Sequence, residues 1–288
     1  MKMRIKQIFA MTLFLLMGVV VSSMAQEQHT TVLDQVKWQR GPCISDLGNE
    51  AQIRVPAGYV FANGSDTRML MEAMHNIPSK NEVGFIAPTT LEWFLVFDFA
   101  DSGYVKDDEK SSLDADAMLK SLKSANEEVN KVKKERGWET FEFTGWQLPP
   151  RYNSETHNLE WATKFNDKKG TTINWNTRLL GRNGVMSVTL VTSEDKLQDI
   201  LPQFNSVLDG FSYKPGHRYA DFHQGDKVAE FGLAALVLGG AAVAAKAGIF
   251  GALWKIITVI FASCWKAIAV GFVAMTGFFK NLFKKKDK

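Results

Sequence analysis

The sequence predicts an α+β fold, an antiparallel sheet covered by helices in one extracytoplasmic domain, followed by C-terminal transmembrane or interfacial helices. Three observations predict it. Strand-like runs between Leu159 and Leu190 are joined by tight turns, which makes neighbours antiparallel. Helical repeats lie before and after these strands and not between each pair, against a doubly wound parallel sheet. Both ends of the chain are apolar and rich in lysine, whereas the middle is balanced in charge.

The N-terminal end has the pattern of a targeting signal. Lys2, Arg4 and Lys6 precede an apolar run from Ile8 to Val21, and Ser23-Met24-Ala25 supplies small residues before Gln26. The run is shorter than the ~20 residues a span prefers, so residues 1–25 read as a cleaved signal peptide rather than a retained anchor. The mature chain is then expected outside the cytoplasm. Cys43 and Cys264 fall in different compartments on this reading, so no internal disulfide is expected.

Residues 26–228 form the expected extracytoplasmic domain. Its lead, to residue 40, holds a helix around Thr31 to Trp38. Ala51–Val55 and Tyr59–Ala62 read as a hairpin around Pro56-Ala57-Gly58. A short helix follows from Asp66 to His75, and Glu92–Phe99 reads as a buried strand. Met118, Leu122, Ala125, Val129 and Val132 recur at four-three spacing, which predicts a helix over Ser112 to Arg136 closed by Gly137.

The meander comes next. Leu159, Trp161, Thr163 and Phe165 share one face of a strand; Ile173, Trp175, Thr177 and Leu179 share one face of the next, opposite Asn174, Asn176 and Arg178. Gly181-Arg182-Asn183-Gly184 is a tight turn, and Met186, Val188 and Leu190 mark a third strand. Ser193 is expected to cap a helix carrying Leu197, Ile200, Leu201, Phe204 and Leu208, ended by Gly210. Phe211–Tyr213 is a last strand.

Beyond the domain, residues 229–248 read as a transmembrane helix, 249–283 as an apolar helix with a lysine stripe, and 284–288 as a basic tail, cytoplasmic by the positive-inside tendency. Lys255, Lys266, Lys280 and Lys284 fall in one stripe, and Trp254 and Trp265 repeat at the same interval. Such a stripe suits a helix lying in the interface against anionic lipid. A second span would bury Lys266 at roughly 2.5–3.5 kcal/mol and put the tail outside.

Four constellations carry potential chemistry. Asp107 and Asp108 follow a strand and suit a cation or acid–base pair, or merely the first-turn charge of a helix. Trp146, Tyr152, His157 and Trp161 form an aromatic segment that reads as a ligand groove or as core with a rigid loop. Arg178 and Arg182 flank a Gly-rich turn and suit an anion, or simply solvent. The His217–Asp226 connector matches no zinc spacing, so no metal is expected. There is no G-x-S-x-G, H-E-x-x-H, G-x-G-x-x-G or P-loop; neither a cofactor nor a catalytic residue is assigned. With 34 Lys+Arg against 31 Asp+Glu and the excess at the ends, no nucleic-acid footprint is expected.

Several stretches together resemble a known family. They are Gly103–Glu109, Gly145-Trp146 through Pro150 and Tyr152, Leu159-Glu160-Trp161-Ala162, Asn174 through Val185, and Tyr219–Phe222 through Asp226–Ala229. In this order they resemble the bacterial family of predicted membrane-anchored proteins called domain of unknown function 2167. The resemblance implies the same layout of signal peptide, ectodomain and anchor, and no activity or site residues. The expected function is a membrane-anchored envelope module that binds an unknown envelope protein or component. The alternatives are an envelope enzyme acting on a cell-wall or lipid substrate through Asp107, Asp108 or His157, and a homo-oligomeric membrane assembly made by the C-terminal helices.

Overall fold

A computed structural model describes residues 31–238, apart from Ser112 and Lys169. The expected signal peptide, most of the expected span, the helix bearing Trp254, Lys255, Trp265, Lys266 and Lys280, and the tail from Lys284 lie outside the described residues. Among the described residues no helix is long and apolar enough to cross a membrane. The chain divides into two compact units, residues 1–36 and 37–288. The described part of the first is α1 (Val32–Gln35), shorter than the helix expected there. The Asp34 carboxylate accepts both the backbone N–H and the hydroxyl of Thr31, each at 2.8 Å.

The second unit opens with β1 (Gln39–Arg40), β2 (Cys43–Leu47), β3 (Ala51–Val55), β4 (Tyr59–Asn63) and α2 (Gly64–Ala73). Then come β5 (Glu82–Pro88), β6 (Phe94–Ala100), α3 (Ala115–Glu135) and β7 (Glu142–Asn153). It closes with β8 (Asn158–Asp167), β9 (Gly170–Leu180), β10 (Val185–Ser193), α4 (Leu197–Leu208), β11 (Phe211–Tyr213) and α5 (Leu233–Val237). An eight-stranded sheet runs β1-β4-β5-β6-β10-β9-β8-β7, and a three-stranded sheet runs β11-β3-β2. Every pairing between these strands is antiparallel. The α+β class expected from the sequence is therefore the observed one.

The expected meander forms; in its register Trp161 opposes Asn176, and Thr189 opposes Asn176 from the other side. The expected hairpin at Pro56 does not form. β3 lies in the small sheet with β2 and β11 on its two sides, so neither edge is left for β4, which joins the large sheet instead. Pro56-Ala57-Gly58 is the crossing between sheets.

Two helices also differ from expectation. In α3, Asp114 caps the start by accepting the Ala117 N–H at 2.9 Å, and Gly137 ends it at φ 69°. Its apolar stripe is only partly covered: Met118 is buried, Leu122 and Val132 are half-buried, and Ala125 and Val129 face solvent, whereas Lys133 is 5% exposed. The helix packs mainly along the edge strand β7, so only parts of the stripe find a partner. In α4, Ser193 remains the last residue of β10 and Lys196 occupies the N-cap.

The large sheet has two unlike faces. One packs against the small sheet and α4, around Leu95, Phe97, Met186, Val188, Leu190, Ile53 and Phe204; it is the closed face. The other lies under α2, α3 and α5; it is the helical face. At one end of the helical face a second core joins Leu159, Trp161, Leu180, Val185 and Met118 to Leu233, Leu236 and Val237. This core reaches past residue 228, the boundary expected from the sequence. Leu233–Val237 fold back as a core helix because the apolar end of the sheet would otherwise be open to water.

Candidate functional site

Register fixes what the helical face presents. Row by row across β6, β10, β9 and β8 it carries Asp98, Ser187, Arg178 and Leu159; then Val96, Thr189, Asn176 and Trp161; then Phe94, Val191, Asn174 and Thr163. Strand alternation sends the apolar residues Ile173, Trp175 and Leu179 of β9 to the closed face and its Asn and Arg side chains to this one. A half-polar sheet face needs partners for its polar groups. Thr189 Oγ1 donates to Asn176 Oδ1 at 3.1 Å, and Asn176 Nδ2 to the Asn174 carbonyl at 3.0 Å.

Above this face, between the ends of α2 and α3, lies a groove of about 540 Å³. That is within the ~300–1,000 Å³ range of small-molecule sites. Its floor includes Val96, Asp98, Asn174 and Thr189; its walls include Met71, Met74, Phe94, Phe141 and Phe165. A neighbouring cleft of about 600 Å³ along α3 shares Thr140, Phe141, Asn166 and Asp167 with it. The Phe141 backbone between them is pinned by Asn130, whose Nδ2 donates to its carbonyl at 2.6 Å and whose Oδ1 accepts its N–H at 3.2 Å.

Two charges of the groove, Lys133 and Asp98, are held in place. Lys133 Nζ donates to the His75 carbonyl at 2.7 Å and lies 4.9 Å from the Phe141 ring centroid; burial holds its pKa below the usual lysine value. Asp98 accepts Ser79 Oγ at 2.8 Å. Burial pushes the Asp98 carboxyl up, the neighbouring Glu82 adds to this, and Ser79 and Arg178 oppose it. Beside it, burial lowers the Arg178 guanidinium to about 10, with Asp98 opposing. Its Cζ lies 4.6 Å from the Trp161 ring centroid, and its Nη1 has no hydrogen-bond partner among the described residues.

The residues singled out from the sequence fall in three places. Tyr152 Oη donates to Asp107 Oδ2 at 3.1 Å and lies 3.2 Å from His157 Nδ1, so these three do meet. The His157 ring packs on Tyr219 at 4.5 Å, and Tyr219 stacks on Tyr104 at 4.4 Å. Burial, then the Asp107 charge, pushes the Tyr152 phenol well above its ordinary value, which opposes phenolate chemistry. Asp108 points to solvent. The cluster fastens the returning chain: Tyr219 Oη donates to the Val105 carbonyl at 3.1 Å, and Ala229 N–H to the Tyr104 carbonyl at 2.9 Å. Gly103 permits this approach. It sits at φ +87°, and a Cβ there would stand 2.6 Å from the Lys227 carbonyl oxygen.

The aromatic segment is not a loop. Trp146 and Tyr152 lie on β7, whose Pro149 and Pro150 are tolerated because β7 is the sheet edge and carries register shifts. Trp146 Nε1 donates to the Ala115 carbonyl at 3.2 Å, and Trp161 is buried under Arg178. Arg178 and Arg182 have different partners. Arg182 forms a two-pronged pair with Asp226, at 2.7 and 2.8 Å, and donates to the Gly216 carbonyl at 3.3 Å. The groove residues Asn76, Lys133, Phe141 and Thr189 carried no motif. Asn174 was visible only as the polar alternate of an apolar strand.

No curated protein matches the chain. Among the solved structures that match, three show the following loose likeness. The cyanobacterial PsbP of Synechocystis sp. PCC 6803 is 12% identical at TM-score 0.34, covering 62% of this chain and 92% of that one. The Saccharomyces cerevisiae Ran-binding protein Mog1p is 9% identical at TM-score 0.31, with coverage of 64% and 100%. LpqN of Mycobacterium tuberculosis, described as involved in cell envelope biogenesis, is 11% identical at TM-score 0.31, with coverage of 64% and 98%. A family model described as "Protein of unknown function (DUF2167)" matches residues 39–276, and the chain belongs to that family.

Proposed function

We propose that the chain is a binding module of the cell envelope, which takes its ligand in the groove between the ends of α2 and α3. On this reading it is exported by its N-terminal signal and held at the membrane by its apolar, lysine-striped C-terminus. The observation that carries the reading is the groove itself, a cavity of about 540 Å³ over a sheet whose opposite face is close-packed. Apolar walls with a few fixed polar groups are what a small-ligand site requires. The Tyr152 cluster supports an enzyme less well. Its phenol is engaged by Asp107 and His157 together, and neither cleft along α3 is lined by these residues.

Hydrogen exchange of the full chain in membrane mimetic, with and without a soluble digest of bacterial envelope, tests the site. Slower exchange at residues 71–76, 139–141 and 172–174 is expected. Protection confined to residues 152–157 or 219–229 would move the site to the Tyr152 cluster. Protease treatment of spheroplasts and carbonate extraction test the topology: a protected middle portion, or a chain washed off the membrane, would overturn it.

A further inference from the structure

We infer that the groove takes an uncharged or amine-bearing saccharide of one or two rings; this rests on the groove being the ligand site. Charge is the first argument. Asp98, Glu139 and Asp167 line the groove with one lysine, Lys133, whose ammonium is bound to the His75 carbonyl; Arg178 acts on Asp98 from outside the lining, and Lys168 pairs with Glu139 at 3.9 Å. The lining carries three carboxylates to one ammonium and so suits an amino group better than phosphate, sulfate or an anionic headgroup.

Hydrogen-bonding capacity is the second. The side-chain amides of Asn76 and Asn174 and the hydroxyls of Thr140 and Thr172 line the groove and have no partner among the described residues. Each amide offers two donors and an acceptor side by side, and each hydroxyl offers both roles. Vicinal hydroxyls and acetamido groups present the same mixture. A fatty-acyl chain would leave these groups desolvated and unpaired, at about 1–3 kcal/mol each. Shape is the third argument. Phe94, Phe141 and Phe165 give apolar walls for the C–H faces of sugar rings, and the volume suits a disaccharide.

The test uses the full chain in a detergent without a sugar headgroup. Titration calorimetry compares chitobiose, the glucosamine disaccharide and maltose with inorganic phosphate, a neutral tripeptide and dodecanoate. Binding of at least one disaccharide is expected, with none of phosphate. Asn174→Ala should weaken it at least about tenfold, one lost hydrogen-bonded contact, and Thr189→Trp, which fills the groove, should abolish it. Asn174→Ala should melt as the parent does; Thr189→Trp also gives up the hydrogen bond to Asn176, so a second filling variant, Val191→Phe, keeps the test intact should the tryptophan misfold. If the tripeptide or dodecanoate binds, is blocked by Thr189→Trp, and no sugar binds at millimolar concentration, the saccharide assignment falls while the site stands. If sugars bind equally to the filled variant, the groove itself is wrong. Absence of binding by every probe also defeats the saccharide assignment.

Discussion

On its closed face the large sheet presents Leu95, Phe97, Met186, Val188 and Leu190 of β6 and β10, all sealed from water; on the helical face β6, β10 and β9 present Asp98, Ser187, Thr189, Asn174 and Arg178. The first set is what folding demands: contiguous apolar surface removed from water at ~25 cal/mol per Å². The second set is not explained by folding, since each polar group brought under the helices must be hydrogen-bonded or remain a cost. Within the helical face the contrast repeats. The end at Leu159 and Leu180 is covered by α5, while the end at Asn174 is left as a groove. One sheet thus divides its labour by residue parity: odd positions of β9 from 173 to 179 hold the domain together, and even positions from 174 to 178 furnish a surface.

That contrast is breakable by mutation. Phe97→Ala removes a fully buried ring of the closed face and should cost about 3–5 kcal/mol of unfolding free energy. Leu236→Ala, under the covered end, should cost about 2–5 kcal/mol; urea denaturation of the full chain measures both. A Leu236→Ala protein as stable as the parent would show that α5 merely rests on the sheet. Tyr152→Phe keeps the ring and loses the links to Asp107 and His157, for about 1 kcal/mol. Asn174→Ala, whose side chain has no partner among the described residues, should stay within ~0.5 kcal/mol. A larger loss there would make the groove floor structural and erase the difference between the faces.

The closed face was legible in the sequence because period-two alternation over Thr172–Leu180 and Val185–Leu190 writes burial directly. Less legible were strands buried on both sides or interrupted. Gly84, Phe85, Ile86 and Ala87 of β5 are buried in succession, so no alternation marks the strand. β7 contains two adjacent prolines that read as a loop until its place at the sheet edge is known. The sheet exchange at Pro56 depends on β11 arriving some 150 residues later to occupy the edge of β3, a long-range pairing no local pattern records. The apolar run at Phe231 reads as lipid-facing on composition alone. Its first turns are core because a complementary apolar patch awaits them on the sheet. The candidate site was least legible, as Asn76, Lys133, Phe141 and Asn174 come from four separated segments.

The smallest expected effect concerns how the returning chain is pinned beside the covered end. Asp226 accepts two hydrogen bonds from Arg182 and one from the His223 N–H at 2.7 Å. The Arg182 pair, then the His223 amide, holds its carboxyl down at about 2, from 3.8. A folded pKa below the unfolded one means the contribution is complete above pH 3.8 and is lost as pH falls towards 2. Acidification through that window should therefore release the connector from Gly216 to Lys227 before the sheet unfolds. The pair is half-buried and still reached by solvent, so it should weaken further with salt. Pepsin digestion at stepped pH reads the release as cleavage near Tyr219 and Phe222. In Asp226→Asn the acid step should disappear and the connector be equally cleavable at pH 4 and pH 2. A step that persists in that variant would assign the acid response to other carboxylates. It would leave the hold on the connector to the aromatic stack of Tyr104, Tyr219 and Phe222, which no proton in this range disturbs.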